Sequence, residues 1–243
     1  MGVVMLKKNY IWPVWLVLLL PLNVFAETQS GISLSIRLLG NNWSGDNTTG
    51  GSEFEASEGK QLAYSVAYYS GKFFAGLNLQ GGTYKFGGVA PDQVTSSSVA
   101  SNSNVKIKRN EIDLVAGYFL TNHISLFLDI KGTNNSWVDD NYEQGFAGIG
   151  LGIYTVWPIG EKWNLQGSFG FVSNGKVTVN GEKAGDGTSG ALEFGAMYNV
   201  STKGRINFGL KSSSQTYTFD SGYEQTHKIT GLFLGYSHSF SFN

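Results

Sequence analysis

The chain of 243 residues contains no cysteine and only 4 prolines. Without cysteine there is no disulfide framework, no thiolate-bound metal and no lipid anchor on a cysteine. Charge is scarce as well, at 14% of residues, against roughly 25% in an ordinary soluble domain. Neither sign prevails, with 17 Lys and Arg facing 18 Asp and Glu. A nucleic-acid-binding protein carries a basic excess or stripe, so no nucleic-acid partner is expected. The 3 histidines are scattered, and no ligand spacing suits a metal ion. Beyond Glu27 there is no apolar run near the roughly 20 residues that a membrane-spanning helix needs. What the chain does hold is 33 glycines and 14% aromatic residues, at a mean hydropathy of −0.11. Abundant rings, few charges and middling hydropathy suit a chain that alternates apolar with polar residues.

The first segment reads as an export signal. Lys7 and Lys8 precede an apolar run from Ile11 to Leu22, followed by Asn23-Val24-Phe25-Ala26. That run is too short to span a bilayer, and Val24 and Ala26 fit the small positions of a signal-peptidase site. Residues 1–26 are therefore expected to be a cleaved signal peptide, and residues 27–243 one barrel domain.

From Ile32 onward the periodicity is two. Ile32, Leu34, Ile36 and Leu38 share one face, and Ser33, Ser35 and Arg37 the other, as in a strand with one apolar and one polar side. The pattern recurs around Leu62–Tyr68, Phe73–Gln80, Glu111–Tyr118, Ile124–Lys131, Phe146–Ile153, Trp163–Phe171, Leu192–Tyr198, Ile206–Lys211 and Gly231–Phe242. That gives ten strands, each near the 9–11 residues of a tilted membrane strand; eight is the main alternative. Tight turns fall near Ser70-Gly71, Leu120–Asn122, Pro158–Glu161 and Ser201–Gly204. Longer polar segments, 41–59, 85–105, 133–143, 174–189 and 220–226, alternate with them. Short turns on one side and long loops on the other predict an all-β, up-and-down antiparallel transmembrane barrel with periplasmic turns and periplasmic termini. The aromatics are expected in two interfacial belts. Tyr68, Tyr69, Phe73, Tyr118, Trp157, Trp163, Tyr198, Tyr236 and Phe240 gather at the tight-turn ends. Trp43, Tyr84, Phe86, Trp137, Phe171, Tyr217 and Phe219 gather toward the long-loop ends.

In this alternation the mature chain resembles the small bacterial outer-membrane β-barrel superfamily, the OmpA-type, opacity-type and omptin-like barrels. The ending Gly235-Tyr-Ser-His-Ser-Phe-Ser-Phe242 resembles the family's aromatic-ended last strand, although Asn243 follows it and Ser237 stands where glycine is common. The resemblance implies that Tyr236, Phe240 and Phe242 form an assembly signal read by the barrel-assembly machinery. It also implies residence in a Gram-negative outer membrane, among outer-membrane lipid and lipopolysaccharide, with extracellular loops free to meet a ligand.

Strand parity puts Arg37, Arg109, Glu111, Asp113, Asp129, Lys131, Glu193 and Lys211 on the lumen face. Eight balanced charges either pair into a polar plug or line a narrow pore. Inward glycines such as Gly76, Gly148, Gly150, Gly152 and Gly170 leave room, whereas inward Phe74, Phe127, Phe146 and Phe233 fill it. Gly145-Phe-Ala-Gly-Ile-Gly-Leu-Gly152 is no dinucleotide loop, because its glycines alternate along a strand with no helix after it. His123 and Ser125 are spaced like the pair of a barrel deacylase, but beside a tight turn and hence at the wrong end. Asp139-Asp140 lacks a partnering Asp-His pair, His227 is expected as a loop contact or weak ligand, and His238 as an interfacial group. No catalytic residue and no cofactor is expected. The leading expectation is a non-enzymatic structural or surface-interaction (adhesion-type) protein. A narrow porin-like channel for ions or small solutes is the alternative, and a lipid A or peptide hydrolase the third reading.

Overall fold

The computed structural model describes residues 30–47, 52–95 and 98–242. The expected signal peptide and Asn243 lie outside the described residues. Thirteen strands follow one another: β1 (Gly31–Asn47), β2 (Ser52–Glu55), β3 (Glu58–Ser70), β4 (Phe73–Val89), β5 (Gln93–Val94), β6 (Val99–Ala100), β7 (Ser103–Phe119), β8 (Ile124–Trp137), β9 (Glu143–Ile159), β10 (Trp163–Val179), β11 (Glu182–Asn199), β12 (Gly204–Phe219) and β13 (Glu224–Ser241). Ten of them, all but β2, β5 and β6, pair antiparallel with their neighbours in chain order. The seam between β1 and β13 runs from Gly31↔Ser241 to Asn47↔Gln225, so the barrel closes along a whole strand. Closure leaves the staves without a free edge, as a lipid environment demands.

Each stave keeps the parity of its sequence. On β9, Ile149 and Leu151 are about two-thirds exposed on the outer wall (66% and 67%), while Gly148, Gly150 and Gly152 turn inward. The inward glycines seat inward rings. A Cβ on Gly152 would lie 2.2 Å from the Phe127 ring, and one on Gly117 2.2 Å from the Phe74 ring. Glycine here lets a large ring cross a narrow lumen instead of opening it.

The staves run longer than the membrane requires. β1, β4, β7, β9 and β10 have 17 residues each, and β11 and β13 have 18. Seventeen residues at about 3.3 Å, tilted about 45°, rise roughly 40 Å, whereas the apolar band needs about 25 Å. The barrel therefore stands roughly 15 Å beyond the band at its long-loop end. The expected loop 174–189 is the clearest difference: β10 and β11 continue through it and join at Asn180-Gly181, with φ of 50° and 86°. Asn-Gly is the preferred pair for a tight hairpin turn, whose two central residues both need positive φ. The polar residues around it mark a strand that has left the membrane, not a loop.

Candidate functional site: the barrel interior

The upper, long-loop third of the lumen is packed with apolar side chains. Trp43, Tyr84, Phe86, Ile107, Tyr217 and Val177 are at most 1% exposed. Trp43 meets Tyr84 edge-on at 5.0 Å and Phe86 at 5.4 Å, and Phe146 stacks on Tyr217 at 5.8 Å. This corrects the expected upper aromatic belt. Of its seven rings only Phe171 is exposed on the outer wall, and the other six are buried inside. Lipid-facing and core-facing rings are the same residue types, and only parity separates them: Trp43 is six positions from inward Arg37.

Loops complete this closure. β2 folds over the rim and places Phe54 against Phe86 and His227, at 6.1 and 5.6 Å. The segment bearing β5 and β6 is tied down by side chains of other loops and staves. The Val94 amide donates to Tyr142 Oη at 2.8 Å, and that hydroxyl donates back to the Val94 carbonyl at 2.9 Å. Tyr223 Oη donates to Asp92 at 2.5 Å, and Gln225 Nε2 donates to Asn47 Oδ1 at 2.7 Å. Burial pushes the Tyr142 phenol up to about 12. Burial also raises Tyr223, which stays a donor beside the Asp92 carboxylate.

His227 lies in this closure on β13, paired with Gly45 and Gln215 and above the apolar band that begins at Leu232. It sits on a stave, and its ring meets Phe54 and Trp43 of the expected loop 41–59. The Trp43 indole donates to its Nδ1 at 3.2 Å, and since indole N–H only donates, Nδ1 is the acceptor nitrogen. Burial, reinforced by the Arg109 charge, holds its pKa well below the ordinary histidine value, so the ring is neutral.

Beneath the aromatic core, ion pairs cross the lumen. Arg109 is 1% exposed. Its Nε donates to Glu111 at 2.7 Å, one terminal nitrogen to Asn135 at 2.9 Å and the other to Gln215, on β12 across the barrel, at 2.8 Å. Its guanidinium also lies 5.3 Å from the Trp43 ring, joining this layer to the one above. Lys211 donates to Gln80 at 2.8 Å and sits 3.9 Å from Glu111. Lys131 bridges Asp113 and Asp129, and Arg37 reaches Glu193 at 2.8 Å. Each of the eight charges thus has an opposite partner, four against four. Uncharged amides complete the layer, with Asn41 and Gln80 both donating to Gln61; in the closure above, Gln144 donates to Gln225. Sequence reasoning passed over these amides, although their inward parity marked them.

A cavity of about 430 Å³ runs from the charge layer toward the tight turns, with six of the eight charges, Arg37, Asp113, Asp129, Lys131, Glu193 and Lys211, on its wall. Ser33, Asn78, Gln166, Asn207 and Ser237 line the rest of it.

The candidate hydrolytic groups do not converge. His123 stacks on Trp157 at 4.7 Å and its Nδ1 lies 3.0 Å from the Val156 carbonyl, whereas Ser125 is buried and turned to the Tyr154 carbonyl. Asp140 accepts from Gln93 at 2.7 Å in an exposed loop. His238 interacts with Tyr236 and Phe240. Among the described residues, no group of three or more His, Asp or Glu could hold a metal ion. At the end of β13, Tyr236, Phe240 and Phe242 are exposed, with the Phe242 amide bonded to the Ser30 carbonyl at 2.8 Å.

An apolar outer wall, a closed ten-stranded meander and a polar interior define the class: a bacterial outer-membrane-type β-barrel. No family model matches the sequence, and no curated protein does. Among solved structures, the outer membrane protease OmpT from Escherichia coli aligns over 90% of this chain and 99% of its own, with a TM-score of 0.60 at 12% identity. That likeness establishes a shared fold. Weaker similarities, with TM-scores of 0.36 and 0.33, link it to an outer membrane protein, OmpT, of Vibrio cholerae (8% identity, 85% of this chain and 64% of that one) and to the toluene transporter TodX of Pseudomonas putida (11% identity, 88% and 90%).

Proposed function

We propose that this protein is a closed, non-enzymatic outer-membrane barrel, with its long-loop end at the cell surface, acting as a structural or surface-interaction protein. The observation that carries this reading is the aromatic core across the upper lumen, resting on the ion pairs Arg37–Glu193 and Lys211–Glu111 that span the barrel. A conducting pore needs a wet path, and buried Trp43, Ile107, Val177 and Tyr217 leave none at that level. His123 and Ser125 turn to different β9 carbonyls and Asp140 lies in an exposed loop, which argues against hydrolysis. The turns and termini are assigned to the periplasm. The exposed Tyr236, Phe240 and Phe242 support recognition by the barrel-assembly machinery. Surface interaction is assigned to the rim, where the strand extensions present polar loops on a rigid base. Purified protein in planar bilayers is expected to give no reproducible conductance, whereas Trp43→Ala/Tyr217→Ala opens conducting events. Steady single-channel currents from the wild type would refute the closed-barrel reading.

A further inference from the structure

The cavity between the charge layer and the tight turns opens at its lower end. Arg205, on its wall, is exposed at the tight-turn end of β12, whereas the aromatic core and the ion pairs close the lumen above. Its volume of about 430 Å³ lies within the range of small-molecule sites.

Four polar atoms of residues on its wall have no hydrogen-bond partner among the described residues: Arg37 Nε, Gln166 Nε2, Asp129 Oδ1 and Asn207 Oδ1. Gln166, Asp129 and Asn207 are at most 7% exposed. A buried polar group without a partner is destabilising, so four around one cavity mark a place where partners come from outside the chain. Two of the four donate and two accept. They stand on β1, β8, β10 and β12, and so surround the space instead of crowding one stave. Arg37 and Asn207 converge over Gly235, which pairs with both. A Cβ there would lie 2.6 Å from Arg37 Cγ and 2.7 Å from Asn207 Oδ1. An unpaired donor and an unpaired acceptor are thus neighbours.

The rest of the wall narrows the chemistry. The lumen charges already pair four against four, so a solute with net charge would lose its hydration and find every counter-charge engaged. Five serine hydroxyls, of Ser33, Ser35, Ser65, Ser168 and Ser237, line the cavity. Half-buried Phe74, Phe127 and Tyr154 add rings. Their negative faces attract the C–H groups of a solute, which water does not offer.

We infer that this cavity binds, from the tight-turn side, a neutral hydroxyl-rich solute of mono- or disaccharide size. A hydroxyl both donates and accepts, so one answers Arg37 Nε and Asn207 Oδ1 together, and others reach Gln166 and Asp129. The site does not depend on the surface role proposed above; the orientation assigned there only makes the periplasm the source of solute.

The test is saturation-transfer NMR, which detects weak binding, on the full barrel in amine-oxide micelles that carry no sugar. Glucose, sucrose, glutamate, lysine and betaine are offered in turn. Saturation is expected to reach at least one of the two sugars and none of the charged or zwitterionic solutes. Gln166→Met/Asn207→Leu removes two of the unpaired atoms at similar volume. It should weaken sugar binding roughly tenfold or more, since each neutral hydrogen bond contributes about fivefold. Ala67→Phe, which fills the cavity, should abolish binding. Both variants must keep the heat-modifiable mobility of a folded barrel, so that loss of sugar is not loss of structure. Equal binding by the wild type and either folded variant overturns the site. So does the absence of saturation on both sugars, the mark of a cavity that holds water only, and so does preference for glutamate, lysine or betaine. Steady wild-type conductance, alongside sugar binding that Ala67→Phe abolishes, would refute the closed lumen alone and support the site.

Discussion

Replacing Arg109 by methionine keeps most of the buried stem and deletes the charge. In the native barrel the guanidinium makes three side-chain hydrogen bonds, to Glu111, Asn135 and Gln215, at 2.7 to 2.9 Å. Once it is gone, Glu111 (side chain 5% exposed) has as its remaining counter-charge Lys211 at 3.9 Å. Asn135 Oδ1 loses its donor, while Gln215 keeps the Tyr217 hydroxyl at 3.0 Å. Removing one partner of a buried pair costs about 3–5 kcal/mol, chiefly because the other charge stays dry. Replacing both by apolar residues of similar volume is often close to neutral. Arg109→Met is therefore expected to destabilise the barrel by about 3–5 kcal/mol, and Arg109→Met/Glu111→Leu to recover most of that loss. Urea unfolding in lipid vesicles, followed by tryptophan fluorescence, reads both values and their coupling. A single-variant cost below about 1 kcal/mol, the range of solvated pairs, would mean that water reaches Glu111. The layer would then be a wet constriction, and the argument for closure would fail.

Three further outcomes follow from the geometry. Leu128→Arg, on the lipid-facing wall of β8, should cost roughly 2–4 kcal/mol and reduce membrane assembly; wild-type stability in the same unfolding assay would invert the assigned parity. Gly152→Ala places a methyl 2.2 Å from the Phe127 ring and 2.6 Å from the Phe169 carbonyl, so overpacking should cost about 1–3 kcal/mol; a neutral result would mean that Phe127 does not cross the lumen there. His227, with its folded pKa depressed, binds protons more readily when unfolded. Its contribution is thus complete above the ordinary histidine value of about 6.5 and shrinks as pH falls toward the folded value. His227→Gln should flatten that part of the pH–stability curve, and an unchanged slope would assign the effect to other groups.

The staves were legible because lipid outside and a polar interior impose a strict period of two on every strand. Ile149-Gly150-Leu151-Gly152-Ile153 states its own orientation. The eight lumen charges were legible for the same reason, since parity extends from Arg37 and Glu193 to all of them. The mouth was not read correctly, although its residues obey the same parity. Trp43 follows Arg37 on the inward face, and Tyr84 and Phe86 follow Gln80. Their polar outward neighbours, Asn42, Lys85 and Ser44, gave the segments the composition of loops, because above the apolar band the outer wall faces water. Asn180-Gly181 carried a strong hairpin signal that the surrounding polarity obscured. Partners across the lumen, such as Arg109 with Gln215 or Arg37 with Glu193, depend on the barrel's radius and closure. Those follow from the pairing of all ten staves, and no single strand encodes them.

Closure of the upper lumen is best tested by thiol accessibility, since the chain has no native cysteine. Val177→Cys lies in the aromatic core, at a position fully buried in the native barrel. Arg205→Cys lies at the exposed tight-turn end of β12, and Lys183→Cys on the exposed rim. With an impermeant maleimide added to protein in vesicles, the account predicts labelling at positions 183 and 205, from opposite sides, and none at 177 from either. Labelling of Val177→Cys at the rate seen on the rim, in a barrel that remains folded, would contradict the claim that the mouth is closed.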